Sequence, residues 1–266
     1  MTVKKALLFI LLVGILGVSI LSGCAGREKT LKVSATSVPH AEMLEYIKDD
    51  LEKQGIKLEI IVTDDYPIHN RSLAEKEVDA NFFQHIPYME AQIDEFGYEI
   101  EAIGKIHIEP MGMYSNKIKS LDELKENAVI AVPNDPTNEA RALALLHKYG
   151  VIKLDDVTNM TATVLNIVEN PKNIKIQEVA AEMLPRTLED VDAAIINTNY
   201  ALQADLNPMK DAIIIEDADS PFVNIVAARK GEGDREDLKA LVEALTSDKM
   251  RAFIEEKYGG SIVPVF

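Results

Sequence analysis

A chain of 266 residues with 44 acidic against 28 basic side chains carries a formal net charge of −16. That balance excludes the basic patches nucleic acids select, and a domain lying flat on an anionic membrane. The single cysteine excludes an intrachain disulfide, and the length suits one large or two modest domains with a sizeable core.

At the start of the chain, Lys4 and Lys5 precede an apolar run from Ala6 to Leu21, broken only by Gly14, Gly17 and Ser19. A basic start, an apolar core and small residues before a cut site describe a secretory signal over residues 1–23. The run is short for a membrane-spanning helix, which needs about 20 residues; an uncleaved anchor is the alternative. Leu21-Ser22-Gly23-Cys24 resembles the bacterial lipobox. The resemblance implies cleavage before Cys24, a thioether lipid on its sulfur and acylation of the new amino terminus. Several buried acyl chains, at about 0.8 kcal/mol per methylene, hold a protein firmly to a bilayer. Residues 24–30 then read as a short lipidated linker.

Leu31 to Thr36 predicts a strand ended by Pro39, and Leu44, Ile47 and Leu51 recur at helical spacing until Gly55. Lys57 to Val62 predicts a second strand. Further strands are expected over 128–132, 193–197, 212–215 and 223–227, and helices over 121–127, 135–149, 188–191 and 235–258. Strands alternating with helices predict an α/β protein with largely parallel sheets. Two stretches read as crossings between lobes: Met113 to Ser120, and the acidic Asp217-Ala218-Asp219-Ser220-Pro221. They divide the chain into lobe 1 (31–114 plus 223–266) and lobe 2 (115–222), with a single open sheet as the alternative. A cleft between lobes collects loops from both, as small-molecule sites often do.

No Gly-rich phosphate loop, Gly-x-Ser-x-Gly, His-Glu-x-x-His or cysteine cluster occurs. His40, His69, His85, His107 and His147 are scattered, successive ones at least sixteen positions apart. No catalytic set, metal site or cofactor is expected, so the chain reads as a non-enzyme, although the fold can bring distant histidines together.

Three segments concentrate binding chemistry. Asp79-Ala80-Asn81-Phe82-Phe83-Gln84-His85-Ile86-Pro87-Tyr88 gathers aromatics beside an amide and an imidazole, which suits either an apolar pocket with a polar rim or plain core. Tyr66, after Asp64-Asp65 at a strand end, is placed to join it. Val132-Pro133-Asn134-Asp135-Pro136-Thr137-Asn138 reads as strand, turn and helix start, with Asp135 as N-cap and Pro136 in the first turn. Asn138 and Arg141, three apart, share a face near that helix start, where a carboxylate is favoured; an arginine paired with Glu139 is the bland reading. Asn197-Thr198-Asn199 ends an apolar strand, and Asn224 stands between Val223 and Ile225, where an amide needs a partner.

Phe83-Gln84-His85-x-Pro87-Tyr88, Val132-Pro133-Asn134-Asp135-Pro136-Thr137-Asn138, Val168-Glu169-Asn170-Pro171-Lys172-Asn173, Ile196-Asn197-Thr198 and Asp219-Ser220-Pro221-x-Val223-Asn224 follow in order. Together they resemble the NlpA/MetQ family of methionine-binding lipoproteins, across essentially the whole mature chain. The resemblance implies a two-lobed periplasmic-binding-protein fold, type II-like, closing on a free amino acid and delivering it to an ABC import permease. It implies a monomer, tethered outside the cytoplasmic membrane by the lipid on Cys24. On the matching positions, Tyr66, Phe83, His85 and Tyr88 line the side-chain pocket. Arg141, helped by Asn138, holds the ligand carboxylate, and Asn197 and Asn224 offer amide oxygens to its ammonium group. Phe82 departs from the family's smaller residue, either reshaping the pocket or packing behind it. The competing readings are a methionine-containing dipeptide or another apolar amino acid as ligand, a surface adhesin, and an exported enzyme.

Overall fold

A computed structural model describes residues 29–217 and 220–266. The expected signal, Cys24 and most of the expected linker lie outside the described residues, as do Ala218 and Asp219.

Strand β1 (Lys29–Ala35) buries Leu31, Val33 and Ala35, and begins two residues inside the expected linker. Helix α1 (Glu42–Glu52) buries Met43, Leu44, Ile47 and Leu51, and Gly55, at φ 77°, turns the chain into β2 (Ile56–Val62). A positive φ there suits glycine, which has no Cβ to clash. Then come α2 (Tyr66–Ala74), the wholly buried β3 (Ala80–His85), α3 (Ile86–Phe96) and β4 (Ile100–Ile108). The next stretch contains β5 (Gly112–Tyr114), β6 (Val129–Pro133), α4 (Pro136–Lys148), β7 (Lys153–Leu154), β8 (Ile167–Glu169) and β9 (Lys175–Val179). It continues with α5 (Leu184–Thr187), β10 (Ala193–Ile196), α6 (Thr198–Gln203), α7 (Pro208–Asp211) and β11 (Ile214–Ile215). The chain closes with β12 (Val223–Arg229), α8 (Glu236–Leu245), α9 (Asp248–Tyr258) and β13 (Val263–Pro264).

Two sheets result, one per lobe. The larger runs β13-β4-β12-β3-β1-β2 and the smaller β11-β5-β10-β6-β9, while β7 and β8 form a separate ladder. Leu238, Leu241 and Leu245 of α8 and Met250 and Ile254 of α9 share one core with α1 and the larger sheet. Leu143, Leu145 and Leu146 of α4 pack into a second core with Ile130 and Val132 of β6. A third, aromatic cluster joins Tyr66, Phe83 and Tyr88 to Ile196 and Tyr200, and so spans both lobes.

Several sequence expectations need correction. The sheets are mixed rather than largely parallel, because β12 runs antiparallel to both β3 and β4, and β5 antiparallel to β10 and β11. The helix expected over 121–127 is one 3-10 turn at Leu121–Glu123. Asn127 takes a positive φ of 61° and sends its N–H to the Lys172 carbonyl, which ends any helix before β6. The helix expected at 188–191 lies earlier, at α5, and Leu188 and Val191 are buried in the turn beyond it. The long helix expected over 235–258 is two helices, since Ser247 caps α9 by accepting from the Met250 N–H at 3.2 Å. β5 pairs within the smaller sheet, so the chain changes sheets between Ile108 and Gly112, ahead of the expected residue 114.

Candidate functional site

Where the lobes meet, a small cavity is lined from both sides. The larger-sheet lobe supplies Tyr66, Phe83, Gln84, His85, Tyr88, Glu109 and Asn224, and the smaller-sheet lobe Asn138, Arg141, Asn197, Thr198 and Asn199. All eight residues singled out for ligand contact in the sequence are therefore brought to one place. Gln84, Glu109, Thr198 and Asn199 join them, and Glu216 and Phe222 stand behind Arg141.

The aromatic wall comes from the start of α2 and the β3–α3 junction. Tyr66, Phe83 and Tyr88 form a triangle with ring centroids 5.6, 5.7 and 5.8 Å apart. His69, fully buried, stacks on the outer side of Phe83 at 4.1 Å. Phe82 points the other way along the strand, into the core, as alternation on a strand requires.

A relay of hydrogen bonds fixes the polar wall. Asp135 caps α4 by accepting from the Asn138 N–H at 3.1 Å. Asn138 Nδ2 donates to both Asp135 carboxylate oxygens, at 2.9 and 3.0 Å, which decides the orientation of its amide. Its Oδ1 therefore accepts, from Asn197 Nδ2 at 2.9 Å and from His85 Nε2 at 3.2 Å. His85 Nδ1 accepts from the Tyr88 N–H at 3.1 Å, consistent with the proton on Nε2. Burial, and then the nearby Arg141 charge, push the His85 pKa down to about 3, so the ring is neutral. The relay leaves the Asn197 Oδ1 buried and without a partner among the described residues. Across the cavity Tyr66 donates to Asn199 Oδ1 at 2.7 Å, leaving Asn199 Nδ2 likewise unpartnered.

Arg141, one turn along α4, does not pair with Glu139. Its Nε and Nη2 grip Glu216 at 2.8 and 2.6 Å, Nη2 also donates to the Glu109 carbonyl at 2.7 Å, and the guanidinium lies 4.3 Å from the Phe222 ring centroid. Nη1 has no protein partner among the described residues. Beside it, His40, His107 and Glu109 converge, with ligating atoms all within 4.8 Å of one another. This is the one group among the described residues with the donor types and spacing to hold a metal ion; sequence spacing gave no hint of its assembly. Burial pushes both histidines down to about 3, and raises the Glu109 carboxyl against the opposing effects of His40, Arg141 and the Asn199 N–H.

Comparison with known proteins gives this geometry a lineage. The sequence profile described as NlpA lipoprotein matches residues 31–266. The chain belongs to the NlpA lipoprotein family. The methionine-binding lipoprotein MetQ of Bacillus subtilis (strain 168) is 43% identical over 249 residues, covering 92% of this chain and 91% of its own. The D-methionine-binding lipoprotein MetQ of Escherichia coli (strain K12) is 41% identical over 255 residues, 94% of each chain. A nutrient-binding protein from Burkholderia cenocepacia, solved bound to methionine, superposes with a TM-score of 0.86 at 45% identity, covering 89% of this chain and 100% of that one. Like these relatives, this NlpA-family chain has the two-lobed α/β fold of periplasmic binding proteins.

Glu139, pointing away from Arg141, accepts from the Val164 N–H at 3.3 Å. Burial, with the neighbouring Glu178 carboxylate, raises its pKa to about 7. A carboxyl group whose folded pKa lies above its unfolded value holds its proton more tightly when folded. Stability from this group is therefore full below about pH 4.5 and lost as pH rises toward 7. In urea denaturation across that range, Glu139→Gln is expected to flatten the fall in stability seen in the parent chain; an unchanged slope would show that Glu139 titrates normally.

Proposed function

We propose that this chain is an extracytoplasmic solute-binding lipoprotein that captures methionine and delivers it to an ABC import permease, and that it acts by binding rather than by catalysis. The observation that carries the reading is the pairing, in one closed cavity, of an aromatic triangle with unpartnered donors and acceptors suited to a zwitterion. A thioether against aromatic rings gains roughly 0.3–1.5 kcal/mol per contact, which suits Tyr66, Phe83 and Tyr88, with His85 at their rim. Arg141 offers Nη1 to the α-carboxylate, a charge-assisted bond stronger than a neutral one. Asn197 Oδ1, held by the relay, accepts from the α-ammonium, with Asn224 on the opposite lobe. Asn138 spends its amide on Asp135, His85 and Asn197, so it assists by orienting Asn197. Named relatives that bind methionine, at 41–45% identity over most of the chain, support the same ligand.

The moving bodies in this reading are the two sheets with their helices, joined where the chain leaves β4 for β5 and returns from β11 to β12. Ligand contacts from both lobes exist together only in the closed form, so binding shifts the equilibrium toward closure, and the permease docks that form. Among the described residues no helix is long and apolar enough to cross a membrane. Tethering falls to the lipid on Cys24, and the protein works as a monomer.

Native mass spectrometry of the full chain in detergent, before and after partial unfolding to strip ligand, is expected to show a methionine mass that returns on titration. A different returning mass moves the specificity to that compound. Arg141→Ala is expected to weaken methionine binding by about 3–5 kcal/mol in calorimetry, because a buried carboxylate loses its partner; unchanged affinity would remove Arg141 from the site. Cys24→Ala is expected to shift the protein from the membrane to the soluble fraction, and persistent membrane association would favour an uncleaved anchor.

A further inference from the structure

The cavity contains a buried carboxyl group to which no lysine or arginine side chain among the described residues is bonded. Arg141 is the one lysine or arginine among its lining residues, and Glu216 already holds that guanidinium through two bonds, at 2.8 and 2.6 Å. Glu109 lines the same cavity at 5% exposure. No hydrogen bond joins the Glu109 carboxylate to Arg141: Nη2 donates to the Glu109 carbonyl instead, and the guanidinium acts on the carboxylate only through space.

Two histidines hold the Glu109 carboxylate. His107 Nε2 lies 2.7 Å from Oε1, and His40 Nε2 3.3 Å from the same oxygen. The atoms facing His40 Nε2, Glu109 Oε1 and Asn224 Oδ1, are both acceptors, so Nε2 carries the proton and Nδ1 accepts from the Thr36 hydroxyl at 2.6 Å. His107 Nδ1 is buried without a partner, which places its proton on Nε2 as well, facing Glu109. Phe82 sets its edge against both rings, with centroids 4.6 and 5.5 Å away, and so locks them from the core side. Both imidazoles are neutral donors. They orient the carboxylate and supply no compensating positive charge. Oε2 has no side-chain donor among the described residues.

A buried carboxylate held in place by neutral donors is costly to keep ionised, and burial accordingly raises the Glu109 carboxyl; an arriving cation removes that cost. We infer that Glu109 is the counter-charge for the ligand's α-ammonium group, positioned by His40 and His107, and that it selects ligands bearing a free amine. The inference rests on the reading of the cavity as an amino-acid site. Arg141 and Glu109 then take the two ends of the zwitterion, with Asn197 and Asn224 completing the ammonium's shell. A phenylalanine or other neutral residue at 109 would leave recognition of the amine to amide oxygens alone.

The same inference makes the carboxylate a liability in the empty protein. Glu109→Gln keeps the shape and an acceptor for both histidines while removing the charge. It is expected to raise the melting temperature of the ligand-free chain and to weaken methionine binding at least about tenfold. Affinity for the deaminated analogue of methionine, which keeps carboxylate and thioether, is expected to stay within about threefold of the parent value, too small a change to count as a lost charge pair. Glu109→Asp, which retains charge on a shorter arm, is expected to recover part of the lost affinity. The measurements are calorimetric titrations and thermal melts on the full chain in detergent. Equal weakening toward methionine and its deaminated analogue, or a lower melting temperature with no selective loss, would assign Glu109 a purely structural role and overturn the inference. So would a parent chain whose methionine affinity falls after chelator treatment, because His40, His107 and Glu109 would then be holding a metal ion. A parent chain that ignores methionine altogether overturns the proposed function along with it. A parent that binds normally, with Glu109→Gln unchanged, overturns this inference alone.

Discussion

Asp135 determines more of this site than its position outside the cavity suggests. Its carboxylate does what an N-cap does, satisfying an otherwise orphaned N–H at the start of α4. Because Asn138 lies three residues on, the same carboxylate also receives the Asn138 amide, and from that point every amide and imidazole in the relay has one allowed orientation. Asn138 presents oxygen, Asn197 must present nitrogen to it, and the Asn197 oxygen is left for the cavity. His85, reaching in from the other lobe, must donate. A helix cap thus becomes the reference from which a polar wall takes its donor and acceptor pattern, with no freedom left for amide flips. Burial raises the Asp135 carboxyl, and the bonds from Asn138 and Thr137 oppose that rise. The carboxylate accepts through both oxygens only while it is ionised, so the helix start and the site lean on the same group.

Charge balance follows the same economy. Arg141 is buried to 4% exposure and would be prohibitive alone; Glu216, 75 residues away in the chain, neutralises it and holds the fork so that Nη1 remains free. Phe222 covers the guanidinium face, so the arginine is packed as well as paired. Glu109, buried where Glu216 is only partly so, has no arginine or lysine among the described residues bonded to its carboxylate. Glu216 is paired within the fold, whereas Glu109, on the inference drawn above, is left to pair with the ligand.

Much of this was legible in the sequence because the signals were local. Leu44, Ile47 and Leu51 keep helical spacing, Asp135-Pro136 announces a helix start, and Asn224 between two apolar residues demands a partner, all readable within a few positions. The strands nearest these signals came within one or two residues of their observed bounds, as at Ile56–Val62 and Val223–Arg229. What was not legible depends on distance along the chain. Strand direction in the sheets is set by β12 returning beside β3 and β4 after the whole second lobe, so alternation of strands and helices overstated parallel pairing. Glu216 could not be matched to Arg141 from spacing, nor His40 to Glu109 across 69 positions. Local signals were also misweighed. Thr246-Ser247-Asp248 is a stop and an N-cap inside an otherwise continuous helical pattern, and it divides the long helix expected there. The clue to Glu109 was present too: an acidic residue ends the strand-like alternation of Ile106, His107 and Ile108, where burial makes a charge conspicuous.

The lobes touch through bonds that need no ligand: Tyr66 to Asn199, His85 to Asn138, Tyr200 to the Asp64 carbonyl and Gln203 to the Asp64 carboxylate. These bonds join the lobes directly and involve no ligand atom, so on the proposed transport reading something must make closure depend on the ligand. On the inference drawn above, burial of the Glu109 carboxylate opposes them. Opening returns its carboxylate to water, and closing without a cation strips that water away. A ligand ammonium removes the penalty at the moment the lobes meet. The free-energy difference between empty and filled closure then comes from one buried charge as much as from the contacts the ligand adds, and a ligand shifts a two-state equilibrium only by such a difference. On that inference the bonded interface between lobes and the buried carboxylate are two halves of one device, in which the first defines the closed form and the second makes it conditional.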